Sequence, residues 1–222
     1  MLLTLLSQDG VAAGSGSAAL GAHRCRSGVA GCSIPSLREV KRSWYPVLVT
    51  TARDRIITST EPVFDQHGFA GSGVDRLTEA AGVSSRTLYK HLGSKSGLVA
   101  AVLDARRERF AQFFDVATID ELFNALARWV RSEGARGCLF LRAAGEDGAS
   151  FPEVSAAVAQ YRELLHQEMR RVIQHETGSA DEQLAEQLLV LFEGATSAAS
   201  YDGKRAIDAA RTAGTCLVAA RK

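Results

Sequence analysis

Cysteine is scarce in this chain, 4 in 222 residues, and forms no disulfide-like pattern of spacings. A small disulfide-stapled scaffold is therefore excluded, and a cytoplasmic setting is expected. Proline is equally rare, at 4 residues, and aromatic residues make up 7%. Runs of β-branched residues are few and alanine is common, so strands are disfavoured and an all-α protein is expected. No stretch approaches the about 20 consecutive apolar residues that a membrane-spanning helix needs, and no membrane partner is expected. The opening Met1-Leu2-Leu3-Thr4-Leu5-Leu6 lacks a preceding positive segment and is interrupted at Gln8-Asp9-Gly10, which argues against a secretory signal. Net charge is only +1, which on its own says nothing about nucleic acid.

Catalytic signatures are missing too. Glu163, His166, Glu168 and His175 fall close together on one expected helix, but no His-Glu-x-x-His arrangement occurs. There is no Gly-x-Ser-x-Gly and no phosphate loop, and Gly14-Ser15-Gly16-Ser17 lies in low-complexity sequence. His23, Cys25 and Cys32 are irregularly spaced with no fourth ligand nearby, so no metal site is expected. Cys138 and Cys216 are expected to pack as small hydrophobes. An enzyme is not expected, nor a cofactor.

What is present has direction. Residues 1–50 carry 5 basic and 2 acidic side chains, 51–110 carry 9 and 7, and 111–222 carry 12 and 16. A basic front and an acidic back suit a chain that turns one end towards a polyanion. With 46% hydrophobic residues, the chain can bury one full core or two modest ones. Residues 1–50 form a low-complexity leader, rich in Gly, Ala and Ser up to residue 36, and read as flexible. They are either a disordered arm or sequence upstream of the true translation start. Arg38, Lys41 and Arg42 suit either a groove-following basic arm or a plain linker, the linker being slightly favoured.

The informative stretch is 72–92. Ser72 followed by Asp75 resembles a capping box, and Val74, Leu77, Ala80 and Ala81 recur with helical spacing. Gly82 suits a helix exit, and Ser84 or Ser85 can cap a second helix whose Leu88 and Leu92 point inward. The outward set is Ser84, Ser85, Arg86, Thr87, Tyr89, Lys90 and His91, and from Ala80 to Leu103 there is no Asp or Glu. Two short helices around a glycine turn, the second polar, basic and free of acids, describe a helix-turn-helix facing DNA.

The stretch Arg55–Leu103 resembles the DNA-binding domain of the TetR/AcrR family of transcriptional regulators. Phe64, Gly68 and Phe69 match the end of that family's first helix. Val74, Leu77, Ala81, Gly82, Val83, Ser84, Leu88, Tyr89, His91, Lys95 and Leu98 match its helix-turn-helix run. Pro62, Leu92 and Gly97 depart from the pattern, and Pro62 should kink a first helix running from about Thr51 to His67. The family likeness implies that Lys95 holds a DNA phosphate. It also implies an N-terminal three-helix DNA-binding domain at 51–97 and a C-terminal helical ligand-binding and dimerisation domain at 98–222.

Further helices are expected at about 96–116, 118–134, 136–146, 151–177, 180–201 and 203–220. Small residues crowd the last two, including Gly194, Ala195, Ala198, Ala199, Ala206, Ala209, Ala210, Ala213 and Gly214. The likeness makes residues 180–220 a homodimer interface, internal packing being the alternative. It also implies an effector pocket, for which Phe110, Phe113, Trp129, Phe140, Tyr161 and Phe192 would supply walls and Arg142 or His166 an anchor. The expected DNA-contacting set is Ser72, Ser84, Ser85, Arg86, Thr87, Tyr89, Lys90, His91 and Lys95, with Tyr89 and Lys95 favoured for phosphate. A dimeric repressor, released from a palindromic operator by a small molecule, is the function these features imply. A ligand-independent or activating regulator, or a helical interaction protein that no longer binds DNA, remain the alternatives.

Overall fold

A computed structural model describes residues 51–134, 136–146 and 150–221. The leader, with His23, Cys25, Cys32 and the basic Arg38, Lys41 and Arg42, lies outside the described residues. Among these there are nine α-helices and no strand. In chain order they are α1 Ala52–His67, α2 Val74–Ala81, α3 Ser85–Leu92, α4 Lys95–Phe113 and α5 Ile119–Glu133. They continue with α6 Leu139–Glu146, α7 Pro152–Thr177, α8 Glu182–Asp202 and α9 Lys204–Ala219.

The first three helices form a compact unit. Thr51 caps α1 by accepting from the Asp54 N–H at 3.1 Å, and Gly68, at φ 74°, ends it. Ile56, Ile57, Thr60 and Phe64 make the buried face, and Phe69 packs on Phe64 in a tilted pair with ring centroids 5.0 Å apart. The helix is continuous through Pro62. Pro62 and Thr58, whose carbonyl loses its partner, both lie on the exposed face, so water can satisfy that oxygen. Leu77, Leu88 and Leu92 close the small core. Full burial of one such leucine stabilises by about 1.5–3 kcal/mol.

Two sequence expectations fail in α2. Its N-cap is Gly73, which offers no side-chain bond, so Ser72 and Asp75 form no capping box. The Ser72 hydroxyl turns inward and donates to the Gly68 carbonyl at 2.6 Å, pinning the loop between α1 and α2. Ala80, expected on the apolar face, is exposed.

α4 begins at Lys95, capped by Ser94, which accepts from the Gly97 N–H at 2.8 Å. Glycine suits that position, because a Cβ on residue 97 would lie 2.2 Å from the Leu92 carbonyl oxygen. The helix continues across the expected domain boundary at residues 97 and 98, packing on α1 and α3 at one end and on α7 along its length. α5 starts with a complete capping box between Thr118 and Glu121. α8 and α9 pair closely with each other, and α9 also packs on α5. Gly214 permits that approach: a Cβ there would already touch Ile119, Leu188 and Phe123. The small-residue stripe therefore divides. Ala195, Ala199, Ala210 and Gly214 are buried within the protomer, while Gly194 and Ala209 face outward. Cys216 is exposed, contrary to its expected packing role. Among the described residues no helix is long and apolar enough to cross a membrane.

Candidate nucleic-acid interface and effector cavity

α2 and α3 are joined by a tight turn. Gly82 takes the left-handed conformation (φ 62°, ψ 35°), and Val83 donates to the Thr78 carbonyl, closing the end of α2. Ser84 caps α3: the Thr87 N–H donates to its Oγ at 3.2 Å, and the two hydroxyls lie 3.0 Å apart. Leu88 and Leu92 anchor the inner face. The outer face is thereby set, with Ser84, Ser85, Arg86, Tyr89, Lys90 and His91 exposed and Thr87 half-buried. Tyr89 is 41% exposed although aromatic.

Arg86, Lys90 and Lys95 have no acid within 4 Å among the described residues, so their charge is free for another partner. An α-helix with its side chains is about 10–12 Å across, which suits the width of about 12 Å of a DNA major groove. Lys95 occupies the first position of α4, beside the free N–H groups of a helix start. One expected contact must be withdrawn. Ser72 is fully buried with its hydroxyl committed to Gly68, so it cannot meet DNA.

The aromatic residues converge below this unit. Phe110 stacks on Phe114 at 4.1 Å and meets Trp129 and Tyr161 edge-on at 5.5 and 5.3 Å. Phe140 stacks flat on Tyr161 at 3.8 Å. A cavity lies among Phe110, Trp129, Phe140, Tyr161 and Phe192, with Arg106 and Cys138 on its wall. Its free space is about 20 Å³, room for roughly one water. Burial, together with the adjacent Cys138, holds the Tyr161 hydroxyl well above its ordinary pKa, and burial also pushes the Cys138 thiol up. Both therefore stay neutral.

Three expected pocket residues do not line this cavity. Phe113 packs outside it, against Phe114, Trp129 and the Arg128 guanidinium. Arg142 is a structural clamp: its guanidinium donates to the Asp65 carbonyl at 2.8 Å and the Arg136 carbonyl at 3.0 Å, tying α6 to α1. His166 is half-buried on α7, away from the cavity.

Arg106 is the residue sequence reasoning missed. It is 4% exposed and lies in a buried ion cluster. Its Nη1 donates to Glu61 at 3.1 Å, with Asp65 and Glu133 at 3.8 and 3.7 Å. Arg109 bridges Glu61 at 2.5 Å and Glu133 at 3.1 Å, and Arg136 approaches Asp65 at 3.5 Å. Burial opposes the charge of Arg109, but Glu61 and Glu133 outweigh it and raise its pKa. The available signal was position: Arg106 follows Val102 and Leu103 and precedes Phe110 at helical spacing, on an otherwise apolar face. The cluster joins α1 to the cavity wall. Two further ties reach the same unit. Glu146 accepts from the Ala70 N–H at 2.8 Å, and Ser96 donates to Glu153 at 2.5 Å.

Comparison with known proteins agrees with this arrangement. Residues 56–102 match the family described as bacterial regulatory proteins, tetR family. A transcriptional repressor of Escherichia coli K12, ComR, is 39% identical over 59 residues, which are 27% of this chain and 28% of that protein. The chain thus aligns with under a third of that relative's length. Among solved structures, a candidate TetR transcriptional regulator from Streptomyces avermitilis superposes with TM-score 0.66 at 26% identity, covering 77% of this chain and 97% of that one. A TetR-family regulator from Streptomyces coelicolor gives TM-score 0.68 at 22% identity, over 75% and 94% of the two chains, a likeness of fold.

Proposed function

We propose that the chain, whose residues 56–102 match the family described as bacterial regulatory proteins, tetR family, is a dimeric repressor of that family which a small molecule releases from DNA. The observation that carries the reading is the acid-free outer face of α3. Arg86, Lys90 and His91 would lie in the major groove with Ser84, Ser85 and Thr87, while Tyr89 and Lys95 hold phosphates. Residues 51–97 would be the DNA-binding domain and 98–222 the regulatory one. A cytoplasmic location follows from that role.

The dimer would form through α8 and α9. Val190 and Tyr201 are 69% and 83% exposed, and with Gly194 and Ser197 they line one outer face of α8 at helical spacing. Large apolar side chains left that open suit burial against a second copy. Two copies would set their α3 helices about 34–36 Å apart, one helical turn of DNA, and so read a roughly palindromic site. The effector would enter the aromatic cavity and act through the ion cluster on α1. A coupling of about 1–3 kcal/mol is enough to change DNA affinity by about 5–150-fold.

The test is a footprint of the purified protein on DNA flanking its own gene. Protection of a palindromic site, with repression of a reporter placed behind it, supports the proposal. Activation of that reporter points to the opposite regulatory sense. Absence of any protected site turns the reading towards a helical interaction protein.

A further inference from the structure

The cavity wall carries one cation among the described lining residues, Arg106, on mainly apolar surroundings that also include Thr196, Cys138 and Tyr161. Glu61, Asp65 and Glu133 do not line the cavity; they stand behind the guanidinium, on α1 and α5. Each of them has a second arginine. Arg109 pairs with Glu61 and Glu133, and Arg136 with Asp65. Arg106 can therefore turn from all three without leaving a bare carboxylate. Its hold on them is also incomplete: one hydrogen bond at 3.1 Å and two approaches at 3.7 and 3.8 Å, beyond hydrogen-bond range. A guanidinium offers five N–H donors and grips a carboxylate in a two-pronged, planar fashion.

We propose that this cavity takes a small aromatic carboxylate, its ring among Phe110, Trp129, Phe140 and Tyr161 and its charge on Arg106, so that binding draws Arg106 away from Glu61 and Asp65 of α1. The proposal rests on the reading of the protein as ligand-regulated and names the ligand's class. A cation would face the Arg106 charge directly, and a neutral arene would offer the guanidinium no charged partner to draw it from Glu61. A flat ring suits walls that already stack flat, as Phe140 and Tyr161 do with an interplanar angle of 3°. The free cavity, at about 20 Å³, must widen, since a benzene-sized guest occupies a cavity of about 150 Å³. Phe140 and Cys138 are the wall that moves. Cys138 lies in the connection between α5 and α6 and Phe140 in the first turn of α6, close in sequence to Gly134 and Gly137, which both have positive φ. Losing Arg106 from Glu61 then loosens α1, the helix that supports α2 and α3.

The experiment compares benzoate, 4-hydroxybenzoate and 2-naphthoate with their neutral amides on the full chain, by melting temperature and by direct calorimetry. At least one acid should raise the melting temperature while its amide does not. Arg106→Met should weaken that acid's binding at least ten-fold. Because Arg106→Met also unbalances the ion cluster, Arg106→Lys provides a folded comparison: it keeps the charge, loses the fork and should bind several-fold more weakly. On the footprinted DNA, the bound acid should lower affinity at least five-fold. Glu61→Gln should keep acid binding and blunt that response. If acid and amide bind equally, or if Arg106→Lys binds the acid like the parent chain, the carboxylate assignment is overturned while ligand regulation stands. If none of the acids binds, the assignment also fails. DNA release by a neutral arene alone would preserve the regulatory reading and discard this one.

Discussion

Replacing Glu61 with Gln should destabilise the protein far more than the loss of a surface charge. Glu61 accepts from Arg106 at 3.1 Å and Arg109 at 2.5 Å, and its side chain is only 12% exposed. Removing one partner from a buried pair costs about 3–5 kcal/mol when the other charge is stranded. Here Glu133 remains near both arginines, Asp65 remains near Arg106, and Arg109 is partly open to water, so a cost of about 2–3 kcal/mol is expected. For a chain of this length that corresponds to a fall in Tm of about 4–12 °C. The assay is thermal unfolding by circular dichroism at neutral pH, for Glu61→Gln, Arg109→Met and the double variant. The double variant should lose less than the sum of the singles, with a coupling of about 0.5–3 kcal/mol. Added salt should change the result little, since buried pairs are poorly screened. A Tm shift within about 2 °C for Glu61→Gln, or strict additivity in the cycle, would refute the picture of a cluster that joins α1 to α4 and α5.

Other consequences are smaller and independent. Thr118→Ala removes half of the capping box that starts α5 and should cost about 0.5–2 kcal/mol, read from the same melting experiment. Glu121 supplies the other half: the Ala117 and Thr118 N–H groups hold its carboxyl below the usual carboxylate range. Its stabilisation is therefore present above the unfolded glutamate pKa of about 4.3 and is lost as pH falls through the lowered folded value. Glu121→Gln should flatten the acid limb of a Tm-against-pH curve and leave the neutral region nearly unchanged in slope. Val190→Asp with Tyr201→Asp should shift the sedimentation equilibrium towards monomer without a loss of helix content; unchanged mass would remove α8 from the dimer interface.

The helix-turn-helix was legible because its constraints are local. Gly82, the Ser84 cap and the Leu88–Leu92 pair each act within one turn of chain, and the structure places them together. The helical order of residues 117–222 was legible for the same reason, since apolar spacing follows each helix's own buried face. Failures arose where a distant carbonyl or a second helix outcompeted the local pattern. Ser72 has the spacing of a cap, yet the Gly68 carbonyl four residues back takes its hydroxyl.

The cavity illustrates the larger gap. Aromatic content identified Phe110, Trp129, Phe140, Tyr161 and Phe192, but Arg142 and His166 were chosen as polar anchors for their type and neighbourhood. Arg142 is instead consumed by backbone carbonyls of α1 and the α5–α6 connection. Arg106 looked like one more charge on a long helix. Its partners Glu61, Asp65 and Glu133 come from helices 45, 41 and 27 residues away in sequence, and only packing brings them together. A charge on the apolar face of a helix is the one trace that such a cluster leaves.

The central claim, that the outer face of α3 binds DNA, is tested most directly by titrating the protein against its footprinted site at salt concentrations from about 50 to 200 mM. The account predicts that log affinity falls linearly with log salt, by about 0.9 for each phosphate contact. Lys95→Ala should shallow that slope by about 1, while Arg86→Ala should cost about 1–3 kcal/mol and relax the preference for the site. An affinity that ignores salt and survives Arg86→Ala combined with Lys90→Ala would contradict it.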